Sequence, residues 1–227
     1  TTEKNKNMKT NIKRTIIPFA FAAALLCAPA LKASYVFNVD LNTAALAGAP
    51  NGPFFLDFQL NEGSDLSAMT TVTISGFTFT GGSATGSANI FGNASGDIGS
   101  TVTLTASDPS SDFTELFQGF TAGTTDINFN VTLPQLFTGL TPTQLNVAVL
   151  DSETNNPQID TNAPDTVSLV TAPILSSYSL SNIGAYSSTD NPAGVTATTS
   201  AVPEPSSVAI FGLGLAGMLC LLRRRRA

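Results

Sequence analysis

The chain has 227 residues, a net charge of −6 and no histidine, a length that suits one domain of about 150 residues between terminal segments. Six of its ten Lys and Arg lie at or before Lys32 and the other four are Arg223, Arg224, Arg225 and Arg226, whereas the stretch between holds fifteen of the sixteen Asp and Glu. Such an acidic body repels phosphate backbones, so nucleic acid is not an expected partner; lacking His, Lys, Arg and Cys, it has no Ser-His-Asp triad, thiol nucleophile, Schiff-base lysine or zinc site of nitrogen and sulfur ligands.

Residues 1–7 are polar, precede Met8 and are read as lying upstream of the start. Lys9, Lys13 and Arg14, the apolar run 16–30 and the small residues after it form the three regions of a secretory signal peptide, assigned to 8–33. Cleavage is expected between Ala33 and Ser34, with a cut after Ala30 as the alternative. The apolar run is shorter than the roughly twenty residues that span a bilayer. Both cysteines, Cys27 and Cys220, lie in terminal apolar runs, so the exported body has no disulfide. Leu26 stands before Cys27, where a lipoprotein signal usually has a small residue.

From Ser34 the pattern has period two, the strand signature. Tyr35, Phe37, Val39 and Leu41 alternate with Asn38 and Asp40; Phe54, Leu56, Phe58 and Leu60 alternate with Asp57 and Gln59. A third strand through Val72, Ile74, Phe77 and Phe79 is broken at Gly76, where a bulge is expected. Further strands run through Val102 and Leu104, through Ile127, Phe129, Val131 and Leu133, and through Leu145, Val147 and Val149; weaker runs fall near 167–170 and 174–180. One helical turn is expected over 112–118, where Phe113, Leu116 and Phe117 share a helix face. Turn formers occupy 48–53, 61–65, 108–111 and 155–157. The expected fold is all-β: an antiparallel β-sandwich or jelly roll over 34–186, followed by a Thr-, Ser- and Ala-rich flexible linker over 187–201.

The remaining chemistry is that of carboxylates. A glycosidase needs two of them across a cleft, and Asp57, Glu62, Asp65, Asp112, Glu115 and Asp151 are the candidates, but their density is that of an acidic surface and no Trp offers a sugar platform. The body is therefore not expected to be an enzyme. No cofactor is expected; the one candidate is calcium, which takes oxygen ligands only, at Asp151, Glu153 and Asn155, which alternate in a loop after a strand with Asp160, Asn162 and Asp165 beyond. The favoured reading of that loop is an ordinary solvated hairpin loop. Asn156 and Asn162 replace the Gly and the acid of a full calcium loop. A carbohydrate- or calcium-binding module is thus the alternative to a structural or interaction role.

Residues 202–227 read as a sorting and anchoring end. Val202, Pro203, Glu204 and Pro205 precede an apolar run, 208–222, with Val208, Leu213, Leu215, Leu219 and Leu222 along it, then Arg223, Arg224, Arg225 and Arg226. As a helix the run is ~22 Å long and reaches bilayer length if its flanks are included. The arginines would remain cytoplasmic and leave the body outside. Gly212, Gly214 and Gly217 match the dinucleotide-binding spacing without the βαβ unit that this motif needs, and fit close helix packing instead.

This order of motif, short Gly-rich apolar helix and arginine cluster resembles the PEP-CTERM sorting domain of Gram-negative bacteria. The resemblance implies Sec-dependent export, transient anchoring in the cytoplasmic membrane and processing near Pro203, Glu204 and Pro205 by an exosortase, a membrane-embedded cysteine transpeptidase. It also implies a final place at the cell surface or in an exopolysaccharide or biofilm matrix. The body, through 35–40, 118–123 and 146–151, resembles short secreted PEP-CTERM proteins of unassigned role.

Overall fold

The alternation of apolar and polar residues is realised as strands that turn one face inward. A computed structural model describes residues 34–49, 52–63, 70–106, 113–135, 141–151, 159–175, 177–189 and 194–202. These contain β1 (Ser34–Asn42), β2 (Phe54–Asn61), β3 (Thr70–Thr80), β4 (Ala84–Phe91), β5 (Ala94–Gly96) and β6 (Thr101–Ala106). They continue with β7 (Phe113–Phe120), β8 (Asp126–Pro134), β9 (Gln144–Leu150), β10 (Val170–Pro173), β11 (Gly184–Ala185) and β12 (Thr196–Ala201).

Two six-stranded sheets result, in the orders β12-β1-β8-β3-β6-β5 and β11-β10-β9-β2-β7-β4. All pairings between named strands are antiparallel. The winding is nested: β1 pairs with β8, β2 with β7 and β3 with β6. This is the path of a long antiparallel ribbon rolled into a jelly roll. At the tip of the ribbon the two strands separate, β4 staying on β7 and β5 forming a hairpin with β6. The chain after β8 widens the sandwich, with β9, β10 and β11 added beside β2 and β12 added beside β1.

Inward side chains from both sheets form one core. Phe37, Val39 and Leu41 of β1, Ile127, Phe129, Val131 and Leu133 of β8, and Leu56, Phe58 and Leu60 of β2 have no exposure. Phe58 packs edge-on to Phe129, with ring centroids 5.5 Å apart at 85°, and to Phe77 at 6.0 Å and 68°, a geometry that aligns ring edges with ring faces. The bulge expected at Gly76 is present: the β3–β8 register shifts between Ser75 and Thr78 and Gly76 has φ +71°.

Three local expectations are corrected. The stretch 112–118 is not helical in its described part, because Phe113–Phe120 is a strand with Leu116 and Phe120 in the main core. Phe117 belongs instead to a separate apolar cluster with Phe55 and Leu150, and apolar residues on both faces of β7 imitate a helical spacing. The run 174–180 is not a strand: β10 ends at Pro173, which has no N–H for a ladder. Beyond it Tyr178 stacks on Tyr35 at 5.0 Å and donates its hydroxyl to the Pro134 carbonyl at 3.0 Å. Finally, in its described part 187–201 is not a free linker, since Thr196–Ala201 is the edge strand of the first sheet, paired with β1 from Asn42↔Thr196 to Phe37↔Ala201. Its small Thr, Ser and Ala side chains, which compositionally suggest a linker, suit an edge that covers little core. β4 and β5 have no expected counterpart, being rich in Gly, Ser and Ala and largely exposed.

Candidate functional site

Ser34, expected to follow the signal cleavage, is the first residue of β1. Ala33, the sorting residues Pro203, Glu204 and Pro205, and the anchor residues Val208, Leu213, Leu215, Leu219, Leu222 and Arg223 to Arg226 lie outside the described residues. Among the described residues no helix is long and apolar enough to cross a membrane.

Of the calcium candidates, Glu153 and Asn155 also lie outside the described residues, while Asp151 directly follows β9. The downstream oxygens serve the fold. Asp165 accepts the Val167 and Ser168 N–H groups at 3.1 and 3.0 Å and the Ser168 hydroxyl at 2.6 Å. Burial would raise its pKa, but these donors outweigh burial and hold it below the usual value. Asn162 accepts the Ser187 N–H at 3.0 Å. No group of three or more acidic, His or Cys side chains with the spacing for a metal occurs among the described residues.

Of the carboxylate candidates, Asp65 and Asp112 lie outside the described residues. Asp57 and Glu115 come together on the outer face of the second sheet, on adjacent strands β2 and β7. Gln59 bridges them, its Nε2 donating to Asp57 Oδ2 at 3.0 Å and to Glu115 Oε1 at 2.9 Å. Burial raises the Glu115 pKa, against hydrogen bonds with Gln59 and with Asp57 itself that lower it. One amide nitrogen thus ties both carboxyl groups together across the two strands. Asp57 is wholly buried.

A further polar assembly was not singled out by sequence reasoning. The outer face of the first sheet carries the polar halves of its alternating strands. Across β12, β1, β8 and β3, one row reads Ser200, Asn38, Asn130 and Ser75; the next reads Thr198, Asp40, Asn128 and Thr78. Asn38 and Asn128 exchange amide hydrogen bonds at 2.8 and 3.0 Å, and Asn38 also donates to Asn130 Oδ1 at 3.1 Å. On the same face the Asp126 pKa is pushed up to about 6, first by partial burial, then by a hydrogen bond to Asp40 and by that neighbour's charge. With no lysine or arginine in the body to neutralise the pair, a proton on Asp126 is what relieves their repulsion. The available signal was the polar phase of the same period-two pattern that gives the core.

Another exposed feature is apolar. Ile90 and Phe91 at the end of β4 and Phe113 at the start of β7 are 46, 55 and 41 % exposed, and Phe91 stacks on Phe117 at 6.5 Å.

A family model, the PEP-CTERM protein-sorting motif, matches residues 201–226, and its first residue, Ala201, is the last of β12. No curated protein and no solved structure matches the chain. A motif of this kind implies an exported protein, made as a membrane-anchored precursor and processed by an exosortase.

Proposed function

We propose that this PEP-CTERM protein is a structural or interaction component of the cell surface or extracellular matrix of a Gram-negative bacterium, and not an enzyme. On this reading 8–33 direct Sec-dependent export, 208–222 hold the precursor in the cytoplasmic membrane, and an exosortase acts at Pro203, Glu204 and Pro205.

The observation that carries the proposal is the junction of a sorting motif with a body that has no basic residue and whose outer sheet face is lined by amides and hydroxyls. Fourteen carboxylates without a cation between Ser34 and Val202 keep copies apart and solvated. Asn38, Asn128, Asn130, Ser75, Thr78, Thr198 and Ser200 offer donors and acceptors on one sheet face, the chemistry that meets the hydroxyls of an exopolysaccharide. The test has two parts. Glu204→Ala is expected to leave the full-length form in the membrane fraction, and processing of this variant at the parental rate would refute the sorting role. The parental protein is expected in the exopolysaccharide fraction, and its recovery only as free protein in the medium would refute the matrix role.

A further inference from the structure

The sorting motif follows a paired strand with no linker between them. β12 lies on β1 up to Phe37↔Ala201, and the Val202 N–H donates to the Val36 carbonyl at 3.3 Å. Glu204 is only two residues further, at most about 7 Å of extended chain. An enzyme that cleaves beside Glu204 from within the membrane must take up residues on both sides of it, and those on the amino side are the ones held in the sheet edge. The folded body and the enzyme therefore compete for the same segment.

The sheet edge is built to give it up. From Thr198 onward β12 is paired with β1 alone, whereas Thr196 also bridges Ser187 and the Ala197 N–H donates to the Tyr186 carbonyl at 2.9 Å; β1 keeps β8 on its other side. Of the β12 side chains only Ala197 is buried, so lifting the strand uncovers little of the core. Immediately before it Val195 is wholly buried, its N–H bound to Ser188 Oγ at 2.9 Å and its carbonyl to the Ser188 N–H at 2.8 Å. Opening from the carboxyl end thus stops at Ala197, which is buried and bound to Tyr186, and frees 198–202, about 17 Å of extended chain.

We propose that β12 is a releasable strand: exosortase processing requires it to leave β1, so that the stability of the β12–β1 pairing sets the rate of processing. The proposal rests on the sorting role of the motif. The Val202 bond makes 40/198 a hydrogen-bonded pair in this register, with Cα atoms ~5.5 Å apart, within disulfide range. The test uses the full-length chain in cells with an active exosortase, with Cys220→Ala in every variant to avoid mispairing. Asp40→Cys with Thr198→Cys locks the strand, and each single replacement serves as a control. In the oxidised double variant, processing on a blot is expected to slow at least about ten-fold, the factor that 1.4 kcal/mol of added opening cost represents. It should return to the parental rate under reductant, with both single variants unaffected. Parental processing while the disulfide is formed, or equal slowing with and without reductant, overturns the proposal. If the parent and Glu204→Ala are processed alike, it is the sorting role itself that fails.

Discussion

Replacing Asp126 with Asn is expected to stabilise the body at neutral pH, although it removes a charged residue and a hydrogen-bond partner of Asp40. Asp126 and Asp40 are diagonal neighbours on β8 and β1, and the folded state lifts the Asp126 carboxyl from 3.8 to about 6. A carboxyl raised on folding binds its proton more tightly in the native state. Stability is therefore greatest below pH ~4 and falls as the pH rises through about 6. At 1.36 kcal/mol per decade the shift sets a ceiling of roughly 3 kcal/mol, which solvent screening at a partly exposed pair reduces to about 1 kcal/mol. Asn keeps the shape, can donate to Asp40 and carries no charge. Urea unfolding of residues 34–202, followed by far-ultraviolet circular dichroism between pH 4.5 and 7.5, reads the effect. At pH 7 the Asp126→Asn midpoint should lie about 0.5 M above the parental one for a slope of about 2 kcal/mol per molar, and the parental loss between pH 4.5 and 6.5 should shrink. Some pH dependence should persist, because Glu115 is shifted in the same direction. A variant less stable than the parent at pH 7, or an unchanged pH profile, would refute the reasoning.

Two further substitutions probe the interior. Gln118 is buried, its Oε1 accepts the Ile98 N–H and its Nε2 donates to the Gly86 carbonyl, both at 2.9 Å; Gln118→Leu strands the buried Ile98 N–H and should cost about 2 kcal/mol, with faster hydrogen exchange at that amide as the direct readout. Phe58→Ala empties the site shared with Phe77 and Phe129 and is expected to lower stability by about 3–5 kcal/mol in the same urea assay. A loss below about 1 kcal/mol would mean that neighbouring rings collapse into the space.

Much of the sandwich was legible because a strand with one dry face writes its alternation into the sequence. Phe37, Val39 and Leu41, or Ile127 to Leu133, need no partner to be recognised as core. β7 was misread where this rule fails: Phe117 serves an outer apolar cluster while Leu116 serves the core, and two apolar phases on one strand cease to alternate. β12 was misread because an edge strand of Thr, Ser and Ala has the composition of a linker. Only an open pairing position beside β1 makes it a strand.

The sequence by itself determined the acid-only body, the positions of most strands and the sorting end, since each is a property of local residue types and their spacing. Tertiary structure alone decided which strands lie side by side. Asp40 meets Asp126, Gln59 joins Glu115 to Asp57, and Ala201 faces Phe37 through pairings between residues far apart in the chain. A period of two says which face a side chain takes but is silent about its neighbour, and that neighbour sets the proton affinity of Asp126 and the hold of the sheet on the strand before the sorting motif.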